Sequence, residues 1–318
     1  MITMELRIAR NYRLLAGILA ALLLTLPASA ANWNTTLAPM PSGRTQPAVE
    51  TINGIVYVAG GYTSGNANTS TLQAFNPETN TWTNLANLPL GLGNGDGAGV
   101  INSQLYIAGG WNGTLPTDSL LMYDPPSNTW TNLAAMPQLS GGGATGVINS
   151  QLYVTTPENG YNGYYNYLDV YNPATNTWTS LPNSASAHAS PAFGVINDKL
   201  YVAGGNTDQG ATNLLEVYDP ATNSWTTLAP MKIAVYETAS VALDGKLYVF
   251  GGRNADNNDV DTVQVYDPYK NEWKKVTSLP APLSTSSGVV VYGLAFVEGG
   301  DGSNDTTNEY AAIAPSIP

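Results

Sequence analysis

The chain has 318 residues, with 11 Lys and Arg against 23 Asp and Glu, a net charge of −12 and no cysteine. The missing thiol excludes a disulfide framework, zinc–thiolate and iron–sulfur sites and a cysteine nucleophile, and the acidity argues against a nucleic-acid partner. Apolar residues make up 43%, enough for a sizeable core, while Gly and Pro together approach one residue in six; that composition suits a turn-rich all-β chain.

In chain order, Arg7, Arg10 and Arg13 precede an apolar run from Leu14 to Leu26, then Pro27 and Ala28-Ser29-Ala30. Basic, apolar, small-residue order reads as a secretory signal peptide over residues 1–30, cleaved after Ala30. The run is too short for a membrane span, which needs about 20 residues. No second stretch approaches that length, so no membrane span is expected after cleavage. The expected location is secreted or periplasmic, and the mature chain, 31–318, is more acidic still.

The remainder is a repeat. Six of the seven Trp fall at 33, 82, 130, 178, 225 and 273, at intervals of 47 to 49 residues. Seven residues before five of them stands an aromatic: Phe75, Tyr123, Tyr171, Tyr218 and Tyr266. A Pro/Asn turn such as Asn172-Pro173-Ala174-Thr175-Asn176 joins each pair; Pro presets the turn and the later Asn tolerates a left-handed backbone. Upstream lie glycine pairs, Gly60-Gly61, Gly109-Gly110, Gly204-Gly205, Gly251-Gly252 and Gly299-Gly300, each after an apolar strand such as Val56-Tyr57-Val58-Ala59. Each unit of about 48 residues therefore reads as four short strands, the period and content of a propeller blade.

The diglycine, tyrosine and tryptophan at these spacings resemble the kelch repeat over essentially the whole mature chain. Division of 288 mature residues by 48 predicts an all-β six-bladed kelch β-propeller with four-stranded blades. Neither chain end holds a whole unit. The expectation is that residues 32–37 supply the outer strand of the last blade, beside strands near 287–292, 294–299 and 305–311. The in-frame Trp and Tyr are read as blade-to-blade packing, and the diglycines as places of close backbone approach.

Function is sought where the blades differ. One face carries short uniform turns, such as Asn53-Gly54 and Asp244-Gly245; the other carries long, dissimilar loops, where binding residues concentrate. Directly after the diglycine position the six units offer Tyr62, Trp111, Glu158, Asn206, Arg253 and Asp301. Trp111 is the one Trp outside the repeat frame. Arg44 and His188 share one offset ahead of the inner strand, with Asp96 and Glu237 nearby. From these the candidate ligand-binding residues are Arg44, Tyr62, Asp96, Trp111, Glu158, His188, Glu237, Arg253 and Asp301. Arg253 either pairs with Asp256 or Asp301 or forks onto a ligand carboxylate; His188 reads as an exposed loop residue or a contact. Two acids interrupt small or apolar strand positions: Glu50, where other units have Gly99, Gly146, Gly194, Val241 and Val289, and Glu298, where they have Ala59, Ala108, Thr155, Ala203 and Phe250. A carboxylate on a channel-lining strand needs water or a cation.

No catalytic motif appears: one histidine, no Gly-x-Ser-x-Gly and no P-loop. No cofactor is expected, with the oxygen-rich loop 254–261 left open as a calcium ligand. The expected function is a secreted or periplasmic binding protein, monomeric, taking a protein or carbohydrate ligand on the variable face. What the kelch resemblance implies beyond fold is mixed. Galactose oxidase-like chemistry uses a cross-linked Tyr–Cys cofactor, which a chain without cysteine cannot form. The alternative is a carbohydrate-active enzyme similar to the N-acetylneuraminate mutarotases, with Glu158, Glu237, Arg253 and His188 as acid–base candidates.

Overall fold

Each repeat contains the instructions for an antiparallel meander. Val, Ile and Tyr at alternating positions favour a pleated surface, and two-residue turns join the first two strands. In the computed structural model those turns have both central residues at positive φ, as in Asn53-Gly54 (53° and 80°) and Asp244-Gly245 (50° and 70°). This backbone matches the right-handed twist of hairpin strands. The Asn or Asp opening the next turn accepts a backbone N–H two residues on, as Asn172 Oδ1 does from Ala174 (3.0 Å). The Asn closing it sits at φ 49–54° in all five blades.

The structure describes residues 33–34, 37–63, 66–93, 97–158, 160, 163–276, 278–302 and 311–312. The signal-peptide reading of residues 1–30, Asp96 and most of the strand expected near 305–311 lie outside them. All regular structure among the described residues is β; they contain no helix long and apolar enough to cross a membrane.

The architecture is a β-propeller. Five blades are complete four-stranded antiparallel sheets, the first being Ala48–Ile52, Ile55–Ala59, Leu72–Asn76 and Thr81–Asn84. The inner strands of the next four are Ala98–Ile101, Thr145–Ile148, Ala192–Ile196 and Ala239–Leu243. After the fifth blade comes a two-stranded pair, Ser287–Val291 with Leu294–Glu298, whose inner strand lies between those of the fifth and first blades. A separate pair joins the two ends of the propeller: Trp33 stands opposite Ala312 and Asn34 opposite Ala311. The expectation of six four-stranded blades is therefore met for five, because the last two pairs are not joined into one sheet among the described residues.

The core lies between blades. The second-strand Tyr of one blade packs on the third-strand aromatic of the next, with ring centroids 6.0–6.2 Å apart for Tyr57–Tyr123, Tyr106–Tyr171, Tyr153–Tyr218 and Tyr201–Tyr266. Each such aromatic also contacts its own blade's Trp. That Trp donates from Nε1 to a carbonyl in the connection from the preceding blade: Trp82 to Ala38, Trp130 to Ala86, Trp178 to Ala134, Trp225 to Pro182 and Trp273 to Ala229, at 2.8–2.9 Å. Trp33 makes the same bond to Ser278 (3.1 Å) and meets Phe250 edge-on at 6.0 Å. In four of these connections the turn Asn accepts the N–H of the same alanine, as Asn128 does from Ala86 (2.8 Å). One residue is thus gripped at both its polar backbone atoms.

Diglycines permit this close assembly. Both members are left-handed, for example Gly60 (φ 65°) and Gly61 (φ 95°), and a Cβ on Gly61 would lie 2.7 Å from the Thr45 carbonyl. The third blade, which has Thr156-Pro157 instead, runs its second strand on through the position, as Gln151–Thr156.

Candidate functional site

The loops on the variable face are built on two repeating backbone contacts. First, the residue after the diglycine bridges to the loop leading into its own blade's inner strand: Tyr62 with Thr45, Trp111 with Gly93, Glu158 with Gly141, Asn206 with Ala189 and Arg253 with Tyr236. Asp301 bridges likewise to Ser284. Second, in the described loops ahead of five of the inner strands one residue is left-handed: Gln46, Gly142, Ser190, Glu237 and Thr285, with φ between 48° and 67°. Their amides link blade to blade. Ser190 N–H donates to Gly142, Glu237 to Ser190, Thr285 to Glu237 and Gln46 to Thr285, at 2.7–2.8 Å. For a β-branched residue such as Thr285 this backbone region is a true outlier, held here by its bonds to Glu237 and Gln46.

The backbone is therefore constant around the mouth while the side chains it presents differ. One side is aromatic. A Cβ on Gly93 would overlap the Tyr62 ring and one on Gly141 the Trp111 indole, so each aromatic lies over a glycine of the following blade. Trp111 thus packs onto the next blade, while staying partly exposed. The other side is charged. Arg253 meets Glu237 (Nη1 to Oε2, 3.2 Å), Asp259 (Nε to Oδ1, 3.1 Å) and Asp301 (Nη2 to Oδ2, 3.7 Å). Pairing with Asp301 was expected; Asp256 is not among the partners found. Burial works against the guanidinium's charge, yet Glu237 and Asp259 hold it above its ordinary value. Burial raises Glu237, with Arg253 opposing. Burial, and then the field of Glu237, pushes Glu158 up to about 7. Tyr164 joins this side through Asn206, whose Nδ2 donates to its hydroxyl (3.1 Å).

Two expected contacts are corrected. Arg44 is fully buried and spends its donors inside the first blade: Nη1 to the carbonyls of Gly60 (3.0 Å) and Thr71 (3.2 Å), Nη2 to Gln73 Oε1 (2.6 Å), Nε to Ser42 (3.1 Å). Burial lowers it to about 10. His188 is 4% exposed, with Nδ1 2.6 Å from the Gly204 carbonyl and Nε2 2.9 Å from Glu216 Oε2. Both ring nitrogens face an oxygen, the Gly204 carbonyl and the Glu216 carboxylate. The shared offset of Arg44 and His188 is real, but its meaning is structural: each clamps the first carbonyl of its blade's diglycine to a polar residue on the third strand. Those partners, Gln73 and Glu216, stand two residues before the repeat aromatic, as do the buried Asp169 and Gln264. A polar residue recurring at that spacing was the available signal, and the reading from sequence missed it.

Below the mouth runs the central channel, a cavity of about 330 Å³ lined by the inner strands. Glu50 and Glu237 are its only charged lining residues among those described. Glu298 is not in the channel wall; it is 2% exposed, its Oε2 has no hydrogen-bond partner among the described residues, and burial pushes it up to about 8. The loop 254–261 is tied by its own backbone, with Asn254 Oδ1 accepting from Asp256 and Asn258, and Asp259 is committed to Arg253. Among the described residues no group of three or more His, Asp or Glu side chains is placed to hold a metal.

Comparisons with known proteins fit this architecture. A search of curated proteins finds no match. Among solved structures, one titled "Structure of YjhT" superimposes with a TM-score of 0.74 at 18% identity, covering 87% of this chain and 95% of that one. That likeness is one of fold. The family model described as the Attractin/LZTR1 β-propeller matches residues 56–262, well over half of the sequence, and that span holds the diglycine, tyrosine and tryptophan frame of a kelch-type propeller. With that frame folded into four-stranded blades, the chain belongs to the Attractin/LZTR1 β-propeller family.

Proposed function

We propose that the protein is a secreted or periplasmic binding module that takes a glycan or a protein segment at the variable mouth of its propeller. One observation carries the reading. The residues after the diglycine share one backbone bridge, yet no two carry the same side chain. A fixed scaffold with every side chain different is how a repeat builds a specific surface. Tyr62, Trp111 and Tyr164 supply flat apolar faces, and Glu158, Glu237 and Asp301 supply acceptors. Arg253 already serves three carboxylates, so a neutral or cationic ligand fits better than an acidic one. The scaffold is proposed to be a monomer of six blades, the last completed by the strand holding Trp33; the Trp33 to Ser278 bond, which repeats that of the other five Trp, supports this.

A second reading rests on Glu158. At about 7 it both gives and takes a proton at neutral pH, which suits acid–base work on a sugar ring. A glycan array on the secreted chain, with sugar mutarotation followed by NMR, separates the two. In the binding reading Trp111→Ala weakens the captured ligand by about 1–3 kcal/mol with little change in melting temperature, the indole being partly exposed. Mutarotation above background, lost in Glu158→Gln, would favour the enzyme. A flat array without mutarotation leaves a protein segment as the ligand. Mass spectrometry of the extracytoplasmic fraction should find a protein starting at Ala31; full-length chain retained in the cytoplasm overturns the location.

A further inference from the structure

The channel beneath the mouth has its own chemistry. The five inner-strand residues Val100, Val147, Val195, Ala242 and Val290 give it an apolar stripe, beside hydroxyls such as those of Thr145, Ser240 and Ser287. Into this wall the first blade inserts Glu50, partly accessible to the lumen, at a position that is Gly or Val in the other units. Elsewhere that register is packed against the next blade: a Cβ on Gly99 would lie 2.7 Å from Leu152 Cδ1 and 2.8 Å from Val147 Cγ2. Among the described residues no Lys, Arg or His lines the channel and no ion pair reaches Glu50. A carboxylate taken from water without a cation is costly, and burial pushes Glu50 up to about 7. The Thr51 backbone N–H opposes this shift, but among the described residues no cation does.

We infer that the channel is a second binding site, for a linear aliphatic diamine or polyamine, with Glu50 as the counter-ion of the inner ammonium and the acidic mouth facing the outer one. Three features select that class. Glu50, with Glu237 four residues' depth away at the mouth, offers too few oxygens for a metal ion, which takes about six, but suffices for an ammonium helped by water and neighbouring hydroxyls. The apolar stripe suits a methylene chain. Glu50 also lies four residues inward of Gln46, on the inner strand Ala48–Ile52, a path of at most about 13 Å. A lysine side chain held at the mouth extends only about 6 Å on its four-carbon stem, so a free, extended amine reaches Glu50 where a lysine on a docked protein does not. At the outer end Glu158, Glu237, Asp259 and Asp301 outnumber Arg253.

The site is tested by calorimetry on the purified protein with spermidine, n-butylamine, 1-butanol and a lysine-containing peptide, at moderate salt. Spermidine should bind, n-butylamine more weakly, and 1-butanol not at all. Glu50→Gln, which keeps the side-chain volume, should weaken spermidine at least tenfold. Glu272→Gln, which removes the same charge from an exposed outer strand, should not. Glu50→Ala serves if the Gln variant does not fold. The lysine peptide binding more tightly than spermidine, absence of spermidine binding, or equal binding in the Glu50 variants each overturns the proposal. The mouth reading fails separately: Trp111→Ala leaves spermidine affinity unchanged whether or not a glycan or protein ligand is found.

Discussion

Arg44 shows how one side chain does in one blade what no repeat position does in all of them. It closes the first blade's loop onto Gly60, Thr71 and Gln73, and His188 with Glu216 does so in the fourth blade with a different pair. Arg44→Met keeps the apolar stem but strands three buried acceptors, and should cost about 2–4 kcal/mol in urea unfolding without touching ligand affinity. Glu298 should act in the opposite sense. Its carboxyl is raised in the folded state to about 8, above its unfolded value, so folding favours the protonated form. The stability it allows is fully present below the unfolded value near 4.5 and is lost as pH rises through about 8. Glu298→Gln should therefore stabilise the protein by about 1–3 kcal/mol at pH 8 and change little at pH 4, as melting curves at the two pH values would show. The sequence marked both residues as departures from the repeat, but a shared offset cannot tell a clamp from a contact. That distinction depends on the partner two residues before each aromatic, on a different strand.

Among elements, the connection between blades is the joint that the Trp and Asn hold. Asn128 Oδ1 accepts from both Ala86 N–H and the Tyr123 hydroxyl, while Trp130 takes the Ala86 carbonyl. Asn128→Ala removes the one oxygen that serves two donors and forces a non-Gly, non-Asn residue to φ 52°. The expected loss is about 1–3 kcal/mol. Asn128→Gly relieves only the backbone part, so chemical denaturation should rank it between the two. The fourth blade is informative because Pro182 replaces the gripped alanine and has no N–H to give; its carbonyl is still held by Trp225. Strand order, turn class and packing role of the aromatics were legible because each is repeated. The mouth was legible only as a set of positions. The ion-pair cluster adds Glu237 and Asp259 to the Arg253–Asp301 pair that the sequence offered, and Asp259 lay hidden in a loop that read as a calcium candidate.

At the scale of the whole molecule, joining the two ends of the propeller is the one long-range act of assembly. Trp33 reaches across to Ser278 and Phe250, and its strand pairs with residues 311–312. Trp33→Ala should cost about 2–4 kcal/mol and lower the melting temperature, whereas an exposed aromatic such as Tyr269, 87% accessible, should be replaceable at no measurable cost. An unchanged melting point in Trp33→Ala would show that this contact does not hold the ring shut.

That joint also has a schedule. Trp130 meets its carbonyl partner 44 residues away, on a part of the chain already made. Trp33 must wait for Ser278, 245 residues downstream. At about 5–20 residues per second that wait is roughly 12–50 seconds, during which a large aromatic and an unpaired strand travel with a growing chain. Five blades have time to form locally while the first-made tryptophan has nothing to hold, so the nascent protein presents a sticky, unpaired segment for most of its synthesis. A holdase that covers such segments would find its binding site here, and would be displaced by the arrival of the last strands rather than by any change in the holdase itself.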